Sequence, residues 1–146
     1  MAILRLLVIL LLIIFIILLG SEVLFENRNN IKLNLKKNGT VTFVRVGKMV
    51  YVEAKATCEK DSALRLNSND AEIPDWAIPA EAILTPNSSG TILEGEITSD
   101  MNGRCRGRLL INMNADKSFK KISTVMLNTD TLNDIEIKMI LIYPVD

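Results

Sequence analysis

The feature that most constrains this chain is an unbroken run of apolar residues close to its amino terminus. Residues 6–19 are 14 consecutive apolar residues, and Arg5 is the only charged residue before them. An apolar helix of about 20 residues spans the roughly 30 Å hydrocarbon core of a bilayer, and an arginine near its end can reach the headgroups. Residues 1–25 are therefore interpreted as a transmembrane anchor that contacts the lipid bilayer through residues 2–19.

A cleaved signal peptide is the alternative interpretation, with Arg5 as its charged start. Cleavage after Gly20 or Ser21 would place Leu18 or Leu19 two positions earlier, where a small residue is preferred. This mismatch favours an uncleaved anchor over a signal peptide. A buried helix of a soluble protein is the third and least favoured alternative.

The orientation of the anchor follows from weaker signals. Arg5 and the terminal amino group favour a cytoplasmic amino terminus, whereas four cations after the span favour the reverse: Arg28, Lys32, Lys36 and Lys37. Two cysteines and two Asn-x-Ser/Thr sequences suit an extracytoplasmic domain. We expect a single-pass protein whose domain lies outside the cytoplasm or on a virion.

Composition excludes several classes of function. The chain has 146 residues and 49% apolar residues, but 17 basic residues balance 17 acidic ones and there is no histidine. A neutral chain lacks the basic surface of a nucleic-acid binder, so no nucleic-acid partner is expected. Without histidine there is no Ser-His-Asp or Cys-His pair and no histidine-ligated zinc. We therefore predict a protein that is not an enzyme and that needs no metal or cofactor.

The rest of the chain has the two-residue period of β-strands. Apolar and polar residues alternate in residues 31–35, 49–58, 104–113 and 135–143, and residues 40–46 are rich in β-branched side chains. Gly47 and Lys48 form a two-residue connection that is typical of a hairpin. Strands at this spacing predict an all-β fold, specifically a jelly-roll-like antiparallel β-sandwich over residues 38–146. Residues 26–37 are predicted to be a linker or the first strand.

The segment between the two groups of strands is irregular. Residues 59–90 contain Pro74, Pro79 and Pro86 among several Asn, Ser and Asp residues. Proline and short polar side chains favour turns, so this segment is predicted to be a long loop with one short strand at residues 82–84. Strand signals return in residues 91–97 and 118–126.

Four segments together resemble the carboxy-terminal receptor-binding (head) domains of bacteriophage tail fibres and baseplate proteins. They are residues 40–52 (TVTFVRVGKMVYV), 73–80 (IPDWAIPA), 107–119 (GRLLINMNADKSF) and 140–146 (ILIYPVD). The resemblance implies a small jelly-roll-like domain, trimeric, that binds a host-surface saccharide or teichoic acid. The layout of an anchor followed by such a domain also resembles tumour-necrosis-factor-type ligands, by architecture alone.

A row of arginines is the first candidate ligand site. Arg104, Arg106 and Arg108 are expected to project from one face of one strand because side chains alternate with a period of two. Three guanidinium groups about 7 Å apart can bind phosphates or acidic sugars through forked hydrogen bonds. The alternative is a solvated face on which these arginines pair with Glu94 and Glu96.

Aromatic residues supply the second candidate. Trp76, the only tryptophan, is able to stack on a sugar ring while Asp75 accepts hydrogen bonds from its hydroxyl groups. The alternative is that Trp76 anchors its loop against the sandwich edge, in agreement with the resemblance. Tyr51, on the polar face of its strand, is a weaker candidate of the same kind.

Cys58 and Cys105 are candidates for one disulfide, which would stabilise the fold by about 3–4 kcal/mol in the chain-entropy model. The alternative is a pair of buried free thiols. Neither is expected to be a catalytic nucleophile, since no histidine is available as a base.

Three further motifs are interpreted as local structure. The oxygen-rich segments 67–70 and 130–134 lack the ligand spacing of a calcium loop and indicate turns. Glu94 and Glu96 form a carboxylate pair of the kind that glycosidases use, but surface charge is the favoured reading. The sequences at residues 38–40 and 87–89 are formal N-glycosylation sites.

These observations favour a membrane-anchored, non-enzymatic viral binding protein, spike-like or head-like, that recognises a host-surface glycan or protein. A structural envelope or capsid-to-membrane linker without a ligand is the alternative, and a hydrolase with paired carboxylates is the third. Residues 135–143 become apolar on both faces towards their end, through Ile140 and Ile142. A strand of this kind needs cover on both sides, which motivates the prediction of a homotrimer.

Overall fold

The structure is a computed structural model that describes residues 1–26, 28–60, 62, 70–87 and 90–146, with backbone positions alone for residues 20–26, 28, 86 and 87. Two predicted features fall partly outside this range: the oxygen-rich segment at residues 67–69 and the glycosylation sequence at residues 88–89.

The described residues form one α-helix, two short 3-10 helices and ten strands. In chain order the elements are α1 (Ala2–Glu26), β1 (Arg28–Asn34), β2 (Gly39–Val46), β3 (Met49–Cys58), β4 (Asp70–Glu72), the 3-10 helices Asp75–Ala77 and Glu81–Ile83, β5 (Thr85–Asn87), β6 (Gly90–Glu94), β7 (Thr98–Ser99), β8 (Cys105–Met113), β9 (Lys120–Asn128) and β10 (Ile135–Pro144).

The amino-terminal helix has the length and composition of a membrane span. Its segment Ala2–Leu19 has a mean hydropathy of 3.4, and none of its residues is buried. An apolar helix whose side chains are not buried in protein is stable where they meet lipid. One helix long and apolar enough to cross a bilayer is therefore present at the predicted position.

The strands form two antiparallel sheets. The four-stranded sheet has the order β1-β2-β3-β10, and the six-stranded sheet has the order β4-β9-β8-β6-β5, with β7 also paired to β8. The sheets pack face to face, with β10 over β8 and β3 over β9. The predicted all-β fold and apolar helix are thus present, while the finer assignment as a jelly roll stays a prediction.

The alternation of the sequence correctly identifies the residues between the sheets. Val50 is buried with the other predicted inward residues of β3, and the same holds for the alternate residues from Cys105 in β8 and from Ile135 in β10. Their side chains form one core together with Val41 and Phe43 of β2. The core forms because one apolar face of each sheet is removed from water.

Within residues 26–37, predicted to be a linker or the first strand, the structure has the edge strand β1, Arg28–Asn34. Two other predicted strands differ from the structure. The short strand predicted at residues 82–84 is instead the 3-10 helix Glu81–Ile83. The strand predicted at residues 91–97 is shorter in the structure, since β6 ends at Glu94 and a break separates it from β7, which begins at Thr98. Gly95 lies at this break, where a Cβ atom would be 3.2 Å from the carbonyl oxygen of Ile140.

Candidate functional site

The candidate site is a groove between the edge strands of the two sheets. β1 and β4 end the four-stranded and the six-stranded sheet on the same side of the sandwich. Between them lies a groove of about 410 Å³ that we call the edge groove. Its lining residues are Ile31, Leu33, Asn34, Ala71, Glu72, Ile73, Pro74, Asp75 and Lys120.

The floor of the edge groove is apolar. Ile31 and Leu33 lie opposite Phe43 and Val41 of β2, so they face inward, but each remains partly exposed. Ile73 is 1% exposed and belongs to the core beneath them. The inward-facing side chains of β1 thus lie beyond the edge of the six-stranded sheet, which does not cover them. The result is an apolar trough that is open to solvent along one side.

The rim of the edge groove carries charges. Lys120 Nζ lies 2.8 Å from Asp75 Oδ1 and 3.8 Å from Glu72 Oε1. The hydrogen bond to Asp75 is the main cause of the raised pKa of Lys120, and the negative charges of Asp75 and Glu72 raise this pKa further. The Lys120 side chain is 17% exposed, whereas those of Glu72 and Asp75 are 77% and 87% exposed. Both carboxylates therefore remain available for further partners.

The edges of two sheets border this trough. In the described part of the chain, β1 pairs along one side with β2, and β4 pairs along one side with β9. An edge strand presents backbone N–H and C=O groups to a further strand, and side-chain pockets beside it select the sequence that binds. An apolar floor, a charged rim and a seven-residue edge strand fit an extended segment of another chain.

The predicted arginine row is not a single row in the structure. β8 begins at Cys105, so Arg104 precedes the strand, where its Nη1 donates to Asp130 Oδ2 at 2.8 Å and its Nε to Asp100 Oδ2 at 3.4 Å. Arg108 is paired with Glu94 on the neighbouring strand, in agreement with the alternative reading. Arg106 is exposed and has no polar partner among the described residues.

Trp76 is half-buried and packs against the core from the 3-10 helix Asp75–Ala77. Arg45, which lies near the end of β2, donates two hydrogen bonds. Its Nη1 donates to the carbonyl oxygen of Trp76 at 2.9 Å, and its Nε donates to the carbonyl oxygen of Gly47 at 2.8 Å. This geometry supports the loop-anchor reading of Trp76. The neighbouring Asp75 points instead to Lys120, so the Trp76 and Asp75 side chains serve different surfaces.

Tyr51 lies on the outer face of the four-stranded sheet, away from the edge groove. Its hydroxyl group donates a hydrogen bond to Oε2 of Glu53 at 3.2 Å, and the same Oε2 lies 2.6 Å from Lys138 Nζ. The Lys138 hydrogen bond is the main cause of the lowered pKa of Glu53. Tyr51, the arginines and Asp75 thus lie on three separate surfaces: the outer face of the four-stranded sheet, the outer side of the six-stranded sheet and the edge groove. Trp76 packs against the core.

The two cysteines meet between the sheets as buried free thiols. Cys58 pairs with Ile135 in one sheet and Cys105 with Asn128 in the other. Burial, with the nearby Cys58 thiol as a hydrogen-bonding neighbour, raises the pKa of Cys105 to about 12. A thiol with such a pKa is almost entirely protonated at neutral pH, and the protonated form is a poor nucleophile and metal ligand.

The described residues contain no group of three His, Cys, Asp or Glu side chains that could hold a metal ion. Glu94 and Glu96, the paired carboxylates of the hydrolase hypothesis, are both exposed, and Glu94 is the last residue of β6. Asp130 is occupied within its own loop, where its Oδ1 accepts from the backbone N–H of Leu132 at 2.8 Å.

Sequence reasoning missed most of the edge groove. Of its residues only Asp75 was a candidate, and Lys120, Glu72 and the edge pair Ile31 and Leu33 were not. The one available signal was the strand alternation at residues 31–35, which indicates an inward apolar face but does not show whether another element covers that face.

No protein-family model, curated protein or solved structure matches the chain.

Proposed function

We propose that this chain is a membrane-anchored, non-enzymatic binding protein whose β-sandwich binds an extended segment of a partner protein in the edge groove. The observation that carries the proposal is the groove itself, with its apolar floor, its charged rim and the free edge of β1. The apolar helix Ala2–Leu19 supplies the attachment to a membrane. Binding therefore takes place close to the membrane surface that carries the protein.

A binding role rather than catalysis is supported by the chemistry of the described side chains. The two thiols are buried, and burial raises the pKa of Cys105. The carboxylates at the groove rim, Glu72 and Asp75, are largely exposed and pair with Lys120. Such charges suit recognition of a partner better than proton transfer.

The resemblance to phage head domains supports a more specific form of this proposal. In that form the sandwich is a jelly-roll-like spike on a virion, and the extended partner segment belongs to a host-surface protein. A trimer and a saccharide ligand are further parts of the same prediction. The structural linker without a ligand is the competing proposal, and it predicts that the edge groove binds nothing.

Binding can be tested with the full-length chain reconstituted in lipid nanodiscs and offered to a display library of random peptides, with a glycan array in parallel. We expect selected peptides to be extended and to carry apolar residues at alternate positions, because alternate side chains of an added strand face the groove floor. Enrichment of glycans without peptides would contradict the proposal, as would the absence of any ligand.

The site is tested with the charge reversals Glu72→Lys and Asp75→Lys. Both side chains are largely exposed, so the fold is expected to persist. We expect the double variant to weaken peptide binding by about tenfold or more, which corresponds to about 1.4 kcal/mol. Glu136→Lys is the matched control, since Glu136 is an exposed carboxylate of β10, far from the edge groove. Arg106→Ala tests the arginine surface separately; weaker binding in that variant would move the site there.

A further inference from the structure

The outer face of the four-stranded sheet is apolar at one end and charged at the other. At the apolar end, strand register places two rows of outward residues side by side across the sheet. We call the apolar members of these rows the apolar end: Val44, Val46, Met49, Tyr51, Ile142 and Pro144. At the opposite end of the same face the outward residues include Thr57, Lys55, Lys138 and Glu136.

The side chains of the apolar end are exposed to a degree that a folded domain in water seldom tolerates in a cluster. Val46 is 49% exposed, Met49 46% and Ile142 59%. Single exposed apolar residues are ordinary, but a contiguous group of them indicates a contact surface. The same strands carry charged residues further along, so the apolar character is confined to one end.

The apolar end lies where the chain enters the sandwich from α1. The helix ends at Glu26, and Arg28 begins β1 directly opposite Val46. Val46 in turn lies opposite Met49, which lies opposite Pro144. The first row of the apolar end therefore begins within two residues of the helix end, whatever the angle between helix and sandwich.

The length of the helix places this row near the lipid headgroups. Beyond the apolar segment Ala2–Leu19, α1 continues through seven residues to Glu26, or about 10 Å at about 1.5 Å per residue. The headgroup layer on each side of the hydrocarbon core is about 5–7 Å thick. A helix tilt of about 20°, which is average for membrane spans, lowers the sandwich further.

We propose that the apolar end is a membrane-contact surface that lies against the headgroup region of the bilayer carrying the anchor. Apolar side chains gain free energy on leaving water for the interface, and Lys48 in the exposed β2–β3 turn adds attraction to anionic headgroups. The outer face of the four-stranded sheet consequently contacts the membrane surface at its apolar end.

Membrane contact also supplies the cover that β10 needs. Ile140 and Ile142 make this strand apolar on its outer face, and the prediction of a trimer rested on that observation. The bilayer is the better occupant because the exposed apolar residues cluster at the end next to α1 and give way to charges away from it. A contact between copies has no reason to follow the distance from the anchor.

The inference rests on the anchoring part of the proposed function, and the test separates the two. Cysteine is introduced by Ile142→Cys, or by Glu136→Cys as the matched control on the same strand and face, about 20 Å away at about 3.3 Å per residue. Both native thiols are buried, so the fluorophore NBD labels the introduced site. The full-length chain is reconstituted into phosphatidylcholine vesicles at one chain per vesicle on average, with nitroxide-labelled lipid as quencher. Recovery in the vesicle fraction after carbonate extraction verifies the anchor independently.

We expect nitroxide lipid to cause a loss of fluorescence at position 142 and none at position 136. Anchored chains without quenching at position 142 would overturn the inference. Equal quenching at both positions would also overturn it, because the contact would then not follow the apolar end. Protection of position 142 that appears only at several chains per vesicle, without lipid quenching, would assign this surface to a second copy instead.

Discussion

The hydroxyl group of Tyr143 donates a 2.7 Å hydrogen bond to the carbonyl oxygen of Ala77. Both residues are fully or almost fully buried, at 1% and 0% exposure. The bond joins the last strand, β10, to the 3-10 helix Asp75–Ala77, 66 residues earlier in the chain. It therefore ties the loop that carries Trp76 and one wall of the edge groove to the core.

Replacement of Tyr143 by Phe is expected to destabilise the protein by about 1–3 kcal/mol, because the carbonyl group of Ala77 is left buried without a partner. Tyr51→Phe is the control, since Tyr51 is only half-buried and its loss is expected to cost about 0.5 kcal/mol or less. The free energy of unfolding, measured by urea titration of the detergent-solubilised chain, checks both values. Equal costs for the two variants would contradict a buried hydrogen bond at Tyr143.

The start of β2 depends on a glycine for two separate reasons. Gly39 has a φ angle of 152°, and a Cβ atom there would lie 2.3 Å from the carbonyl oxygen of Lys55. Gly39→Ala is therefore expected to cost about 2 kcal/mol or more, since backbone atoms must move. Gly47 also has a positive φ angle, 59°, but nothing lies near its missing Cβ, so Gly47→Ala is expected to cost about 1 kcal/mol. Urea midpoints give the ranking, and the reverse order would show that the close approach at Gly39 is absent.

Two aspartates are expected to make the protein sensitive to acid. The backbone N–H of Cys105 is the main cause of the lowered pKa of Asp100, and that of Leu132 is the main cause for Asp130. A carboxylate with a lowered folded-state pKa contributes stability above its unfolded pKa of about 4 and loses it as the pH falls through the lower value. Stability is thus expected to decline as the pH falls below about 4.

The isosteric variants Asp100→Asn and Asp130→Asn remove the titrating groups, so their urea midpoints are expected to decline less between pH 4 and pH 2 than that of the wild type. Arg104→Ala is expected to keep most of the wild-type decline, because the charge of Arg104 is a smaller cause of both shifts than the backbone N–H groups. A flat profile in Arg104→Ala would show that the ion pairs dominate instead.

The thiols provide a measure of how tightly the sheets are packed. Cys58 and Cys105 are 3% and 0% exposed, and burial raises the pKa of Cys105. Iodoacetamide is expected to modify neither thiol in the native chain at pH 8 and both after unfolding, because it reacts with exposed thiolates. Mass spectrometry counts the adducts. Rapid native modification would contradict burial, and a mass lower by two hydrogens would show that the predicted disulfide forms in the isolated protein.

The polar and apolar alternation was sufficient to identify the buried faces of β3, β8 and β10. A strand exposes successive side chains on opposite faces, so a two-residue period is a local property that needs no partner. The apolar segment Ala2–Leu19 was likewise predictable from local sequence, since its length as a helix matches the thickness of the hydrocarbon core of a bilayer. The short strand β4 was missed because its three residues are too few to establish any period.

The sequence by itself determined that an apolar helix precedes a β-domain and which faces of its long strands are buried, because both follow from side chains within one segment. Only the tertiary structure decided which strands lie at sheet edges. Pairing joins β1 to β2 on one side alone and brings β4, some forty residues later, to the same side of the sandwich. The edge groove and the position of the apolar end beside α1 result from these long-range pairings, so no local pattern contains them.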